Sequence, residues 1–360
     1  MGQNTPRSKL KPLPPPREKV ETIDILRQTN KSTAVLAELK GIALTIPNQS
    51  MLINAVILQE AKDSSEIENI ITTQDDLYKA LTLNKSTISP QTKEVVNYRK
   101  AIFYGYEIAK KQGFIKVNDI ISIQQELVNN TAGIRSIPGT VLKNDTTGEI
   151  VYTPPQDKAE ILDLLTNFIN HYNQTDNELS PLINLAILHF QFESIHPFYD
   201  GNGRTGRILN ILYLILNGLL DVPILYLSSY IIKNKSDYYR LLNRTNQDGM
   251  WENWIMFMLR AIEETSKDTI SRIINIKDLL DKTIIKVKKE SPKIYRKELV
   301  ELLFEQPYSK IDFVVNRLGV ERKAASRYLK ELEKIGVLES QKVGRETLYI
   351  NKKLIEILKN

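Results

Sequence analysis

Apolar residues recur at helical spacing along most of the chain. Between Glu18 and Asn97, Ile53, Val56 and Ile57 fall on one helix face, and so do Leu77 and Leu81. Thr87-Ile-Ser-Pro90 breaks the pattern, and Pro90 suits the first position of a new helix, where no N–H is needed. Helical periodicity resumes over Val95–Lys111 and Val117–Asn129. At Gly133–Pro155 the character changes. Gly133, Pro138, Gly139 and Gly148 are interleaved with the β-formers Val141, Ile150, Val151 and Tyr152. That pattern predicts a β-hairpin turning near Asn144–Gly148 and stopped by Pro154-Pro155. Two further helices are predicted over Lys158–Tyr172 and Pro181–Ile195, the second with Ser180 as N-cap. Another runs from about Arg204 to Asn217, with Gly218 as its stop.

Residues Leu220–Ser266 read as mostly helical, and Thr265–Lys289 as a long polar connector helix. The last block reads as three helices followed by two strands around Lys342-Val-Gly-Arg345. The expected fold is therefore mainly α, with one hairpin and a small C-terminal α+β module. The expected division is a disordered or extended Pro-rich tail at 1–17, a helical region at 18–95, a core at 96–265, a connector at 266–289 and a C-terminal module at 290–360.

Composition narrows the chemistry. The 360 residues include no cysteine, which excludes disulfides, thiolate catalysis and cysteine zinc sites. The N-terminus is polar rather than signal-like, and the most apolar stretch, Ile208–Leu220, is short and carries Asn210 and Asn217. Both point away from a membrane and toward the cytoplasm. The net charge of +6 is mild. Most of it lies in Ser291–Asn360, which holds 15 basic against 10 acidic residues.

The candidate chemistry sits in one run, His196-Pro-Phe-Tyr-Asp-Gly-Asn-Gly-Arg-Thr-Gly-Arg207. His196 follows a long apolar helix and has the side chain best suited to proton transfer near neutral pH. Asp200 is a carboxylate suited to Mg²⁺. Gly201-Asn202-Gly203 bends the backbone at a helix N-terminus, where N–H groups converge on an anion. Arg204 and Arg207 reach anionic oxygens from the first turn. Each piece alone has an ordinary structural reading: a helix-end histidine, a turn, a solvated arginine pair. Together they supply a base, a metal ligand, an anion nest and two guanidinium groups, the requirements for attack on a nucleotide phosphate. His189, seven residues earlier, has no third partner spaced for a metal and reads as a packing residue.

The run resembles the Fic motif, His-x-Phe-x-Asp/Glu-Gly-Asn-Gly-Arg-x-x-Arg, at every specified position. The resemblance implies a helical fold and transfer of AMP from ATP to a Ser, Thr or Tyr hydroxyl of a target protein, which can include the enzyme itself. It makes His196 the general base, Asp200 the Mg²⁺ ligand, and Gly201, Asn202 and Gly203 the anion hole. Arg204 and Arg207 then hold the β- and γ-phosphates, with Thr205 and Gly206 completing the ATP-binding run. Phe198 is expected to be a buried anchor. The hairpin at Gly133–Pro155 resembles the Fic flap, which pairs with the target segment. Tyr239, in Asp237-Tyr-Tyr-Arg240, lies where the family places residues around adenine; a core tyrosine is the alternative.

Ser64, Glu68 and Asn69, in Ser64-Ser-Glu-Ile-Glu-Asn69, resemble the Fic inhibitory motif. The implication is a Glu68–Arg207 pair that blocks the productive ATP pose. In some relatives the same glutamate supports removal of AMP. Ser291–Asn360 resembles the winged helix that many Fic proteins carry after the core. Arg322, Lys323, Arg327, Lys342 and Arg345 are its candidate DNA contacts; protein interaction is the other reading, with Glu321, Glu331 and Glu333 interrupting the basic surface. A nucleotide-sensing DNA-binding regulator, a relative with another donor such as a phosphocholine or UMP transferase, and a kinase-like variant are the competing functions. The resemblance also allows a homodimer.

Overall fold

A computed structural model describes residues 10–83, 88–143, 148, 150–174 and 178–359. The hairpin turn expected near Asn144–Gly148 and the first nine residues of the expected tail lie almost wholly outside these. The rest of the tail is extended and pinned: Leu13 is buried, its N–H donates to Asn167 Oδ1 (2.7 Å), and Lys11 O accepts from Gln191 Nε2 (3.0 Å).

Local chemistry sets the N-terminal helices. Helix α1 (Ile23–Ala43) is capped by Thr22, α2 (Gln49–Ile67) by Asn48 and α3 (Gln74–Thr82) by Thr73, each side chain accepting an otherwise orphan N–H. Helix α4 (Pro90–Gln112) opens at Pro90 as expected, with Ser89 as its cap, and α5 (Val117–Val128) follows. The predicted hairpin reduces to β1 (Leu142–Lys143) and β2 (Ile150–Tyr152), paired antiparallel with Leu142 opposite Tyr152.

Helix α6 (Lys158–Tyr172) begins at the Asp157 cap. Helix α7 (Pro181–Ile195) has the predicted bounds, but its N-cap Ser180 makes no side-chain capping bond; Pro181 alone marks the start. Every residue of α7 beyond Pro181 is buried, as expected of a helix apolar all round. It is the centre of the core and packs against α1, α6 and α8 (Asn202–Leu216). Gly218 follows α8 at φ 67°. Helices α9 (Ser228–Lys233) and α10 (Lys235–Asp248) lead into α11 (Trp251–Glu290), a single helix of 40 residues. The boundary expected at 265 therefore falls inside one helix. The segment read as a polar connector buries Ile270, Ile273, Ile276, Leu280 and Val287 along one side.

The C-terminal module contains α12 (Lys297–Glu305), β3 (Tyr308–Ser309), α13 (Ile311–Leu318), α14 (Arg322–Lys334), β4 (Glu339–Val343), β5 (Glu346–Ile350) and α15 (Lys352–Lys359). Its sheet is antiparallel in the order β3-β5-β4. Strand β3 and helix α15 had no counterpart in the sequence reading. The module docks on the body: α12 packs on α2 and α11, and the Tyr308 ring stacks on Tyr78 at 5.2 Å while its hydroxyl donates to Asp75 (2.6 Å).

Candidate active site

The loop between α7 and α8 is held by its own backbone. Helix α7 ends because His196 takes a left-handed conformation (φ 48°) and Pro197 cannot continue the helix. Asn202 folds back across the loop: its Oδ1 accepts from Phe198 N and its Nδ2 donates to Phe198 O, both at 2.8 Å. Phe198 is fully buried beside Phe192, the anchoring place expected of it. Gly201 stands at φ 79°, and a Cβ there would come within 2.8 Å of Val128 Cγ1, so the turn needs glycine on both counts.

A second residue fixes the same loop from outside. Arg135 is wholly buried; its Nε donates to His196 O (2.7 Å) and its Nη2 to Ile195 O (3.3 Å) and to Pro155 O. Its own N–H reaches Pro197 O (2.9 Å). One guanidinium thus ties the end of α7 to the far end of the hairpin. Tyr152 adds a bond from its hydroxyl to Ser194 O (2.9 Å), and Gln124 Nε2 donates to Asp200 O (3.0 Å).

The charges converge at the first turn of α8, whose leading N–H groups have no partner within the helix. Arg204 donates to Glu94 Oε2 (2.9 Å) and Asp200 Oδ1 (3.3 Å). Arg207 is buried and held by α2 and its C-cap: Nε donates to Ser64 Oγ (2.7 Å), Nη2 to Ser64 O (2.9 Å), and Nη2 to Glu68 Oε1 (2.9 Å). Glu68 lies so close over the start of α8 that a Cβ added at Gly203 would stand 2.4 Å from its Oε1. Burial alone would raise the Glu68 carboxyl, but Arg207, with Arg204 and His196 behind it, holds it below its ordinary value. Burial, with Arg135 nearby, pushes His196 down to about 4, so the imidazole is neutral at physiological pH.

Three family models match the chain: "Fic/DOC family N-terminal" over residues 26–107, "Fic/DOC family" over 114–214, and "Protein adenylyltransferase SoFic-like, C-terminal domain" over 279–354. The chain belongs to the Fic/DOC family. It is 26% identical over 174 residues to the protein adenylyltransferase Fic of Nematostella vectensis, a match covering 48% of this chain and 38% of that one. Over 175 residues it is 27% identical to a probable protein adenylyltransferase of Aquifex aeolicus, covering 48% and 52%. The match thus spans between about a third and a half of these relatives' length. A Fic family protein from Desulfovibrio desulfuricans G20 shares the fold at a TM-score of 0.59 and 18% identity, over 92% of this chain and 96% of that one. Fic-1 from C. elegans does so at 0.54 and 17%, over 71% and 74%.

In this Fic chain the structure brings Ser64, Glu68, His196, Gly203, Arg204 and Arg207 to one place. Others of the expected set stand apart. Asn202 spends its side chain on the loop, leaving only its backbone for an anion. Thr205 is buried, and Gly206 faces the core, where a Cβ would meet Glu193 Oε1 at 2.5 Å. Asn69 takes φ 61° just past α2 and accepts from Lys235 Nζ (3.3 Å). Tyr239 is 41% exposed and packs edge-on against Tyr238. His189 lies between Tyr238 and Trp254 with Nε2 2.9 Å from the Tyr238 hydroxyl, the packing residue expected.

Arg135, Glu94, Gln124, Glu60 and Glu193 were not anticipated. Glu60 is buried on α2, accepting from Ser228 N (3.1 Å), Ser228 Oγ (2.5 Å) and the Tyr98 hydroxyl (3.1 Å). Its spacing of four from Ser64 and of eight from Glu68 was the available signal. Among the described residues no three His, Asp or Glu side chains gather as a metal site, and no helix is long and apolar enough to cross a membrane. Asp200 nonetheless fits a Mg²⁺ carried on phosphates, because its side chain is 64% exposed and one carboxylate suffices for such an ion.

Proposed function

We propose that the chain is a self-inhibited protein adenylyltransferase working in the cytoplasm. On this reading the phosphates of ATP lie at the N-terminus of α8, facing its free N–H groups, Arg204 and Arg207. His196, neutral and fixed through Arg135, takes the proton from a Ser, Thr or Tyr hydroxyl of the target. That oxygen bonds to the α-phosphorus as the bond to the β-phosphate oxygen breaks. AMP stays on the target, and pyrophosphate departs with its charge on the arginines. Asp200 would hold the Mg²⁺, which neutralises phosphate charge. The hairpin, tied to the His196 loop by Arg135 and Tyr152, offers strand edges for an extended target segment.

The observation that carries this reading is the position of Glu68: a carboxylate over Gly203 and on Arg207, where an anionic substrate would otherwise lie. A carboxylate in an anion site fits both a phosphate-handling function and its inhibition. The test is incorporation of labelled AMP from ATP and Mg²⁺ by wild type and Glu68→Gly. Strong labelling by the variant, abolished by adding His196→Ala, is expected; an inactive Glu68→Gly protein that still binds ATP sinks the proposal.

A DNA-binding role for the C-terminal module is a second reading. It rests on the exposure of Arg322, Lys323 and Arg327 on α14, Lys342 on β4 and Arg345 in the β4–β5 turn, with Arg322 partly neutralised by Asp312. A duplex DNA shift that weakens steeply with salt supports it; none at low salt removes it.

A further inference from the structure

The two arginines of α8 meet their carboxylates in different places. Glu68, on Arg207, lies over the start of the helix, and the atoms that a Cβ on Gly203 would meet belong to Glu68 and Arg207. Arg204 turns instead toward α4, where Glu94 Oε2 accepts from its Nη1 (2.9 Å). Its Nη2 donates to Asp200 Oδ1 (3.3 Å). The guanidinium is buried and its Nε has no partner, so these two carboxylates are what compensates its charge. Glu94 therefore does not stand where Glu68 stands, and competition with phosphate is not its role.

Helix α4 holds Glu94 firmly. Thr92 Oγ1 lies 2.8 Å from Thr72 Oγ1, two residues before Glu94. Further along, a Cβ on Gly105 would stand 2.8 Å from Leu212 Cδ1 of α8, so the two helices touch directly. The two bonds to Arg204 are unequal. Charge-assisted N–H···O bonds run at about 2.7–2.9 Å. Glu94 makes such a bond, and Asp200 stands farther off. No other described side chain bonds the Asp200 carboxylate, which is mostly exposed. Glu94 thus takes the larger share of the buried positive charge, and Arg204 steers Asp200 without neutralising it. A carboxylate that is oriented yet still negative suits a divalent cation. Without Glu94, a buried guanidinium would have Asp200 as its one carboxylate and would draw it in, away from a metal.

We propose that Glu94 is a positioning residue for the metal ligand, acting through Arg204 to hold Asp200 in place for a cation carried on the nucleotide phosphates. This rests on the proposed AMP transfer and on Asp200 as its Mg²⁺ ligand.

The test is calorimetric titration of the full chain carrying Glu68→Gly with α,β-methylene-ATP, whose bridging carbon prevents transfer, once with Mg²⁺ and once with EDTA. Both titrations are repeated after adding Glu94→Gln, which keeps an acceptor for Arg204 and removes the charge. Glu94→Gln should weaken binding about tenfold with Mg²⁺ and leave it within about twofold, or tighter, in EDTA. Equal loss in both conditions makes the role merely structural and overturns the proposal. Tighter binding with Mg²⁺ makes Glu94 a second brake and overturns it too. A parent that binds better with Mg²⁺ beside an unchanged Glu94→Gln overturns this inference alone. A parent indifferent to Mg²⁺ overturns it together with the Asp200 assignment.

Discussion

Replacing Glu68 by glycine should move stability and ATP affinity in opposite directions. The Glu68–Arg207 contact is a charge-assisted hydrogen bond of 2.9 Å to a buried guanidinium. Such bonds contribute about 1.5–3 kcal/mol net. The Glu68 side chain is 35% exposed, so solvent screening trims its share to about 1–2 kcal/mol. Arg207 would not collapse without it, because Ser64 Oγ and Ser64 O hold the same guanidinium at 2.7 and 2.9 Å. The variant should therefore unfold about 1–2 kcal/mol more easily in a urea titration. The arginine it frees should bind ATP about 5–30-fold more tightly, since 1.4 kcal/mol is tenfold. AMP incorporation at subsaturating ATP should rise by at least that factor. Glu68→Gln, which removes the charge but keeps the bulk over Gly203, should fall between wild type and glycine. Calorimetric ATP titration beside the urea series reads both quantities on the same protein. Affinity and stability falling together, or an unchanged affinity, would refute the competition between Glu68 and phosphate.

Because burial holds His196 near 4, AMP transfer by Glu68→Gly should stay flat from pH 8 down past the ordinary imidazole range near 6.5; an acid limb at or above 6.5 contradicts a buried neutral base. Glu60, raised to about 7, and Glu193, raised to about 8, keep protons in the folded chain that the unfolded chain has already released. Stability should then fall by about 1–2 kcal/mol between pH 6.5 and 8.5 in urea unfolding at the two values, the glutamates outweighing the three histidines, which burial lowers in the fold and whose unfolded forms lose protons over the lower part of that window and oppose the fall. Glu60→Ala strands Ser228 and Tyr98 and should cost about 2–4 kcal/mol by the same measurement, with Glu60→Gln costing less. Arg135→Ala should lower AMP transfer of Glu68→Gly while leaving its ATP affinity within about threefold, because Arg135 orients the His196 loop and touches no phosphate position.

How much of this was legible depended on whether a feature's causes were local. Pro90, Pro181 and Gly218 mark helix ends by their own backbone preferences, and the structure places an end at each. Strand β3 has no such local cause. Tyr308 and Ser309 become a strand only by pairing with Ile350 and Tyr349 some 40 residues on. Helix α11 misled for a different reason: its many charges gave it a polar average, while the stripe from Ile270 to Val287 decides where it lies.

The site divides along the same line. The Fic loop could be read because His196, the turn and the arginines are contiguous, and Ser64 and Glu68 because a motif resemblance pointed to them. Arg135, Glu94 and Glu193 are single residues whose roles exist only once helices distant in sequence have packed. Glu60 lies between these cases. With Ser64 on the inner face of α2 and Glu68 at its C-cap it forms a row spaced by four, and periodicity alone could have placed it there. Its chemistry could not be read that way, because a glutamate is stable in a core only where hydroxyl and N–H donors meet it. Here those donors come from Tyr98 on α4 and Ser228 on α9. Loosening that contact would free the same helix that holds Arg207, so on the proposed reading the lock on the nucleotide site would extend at least two turns beyond Glu68.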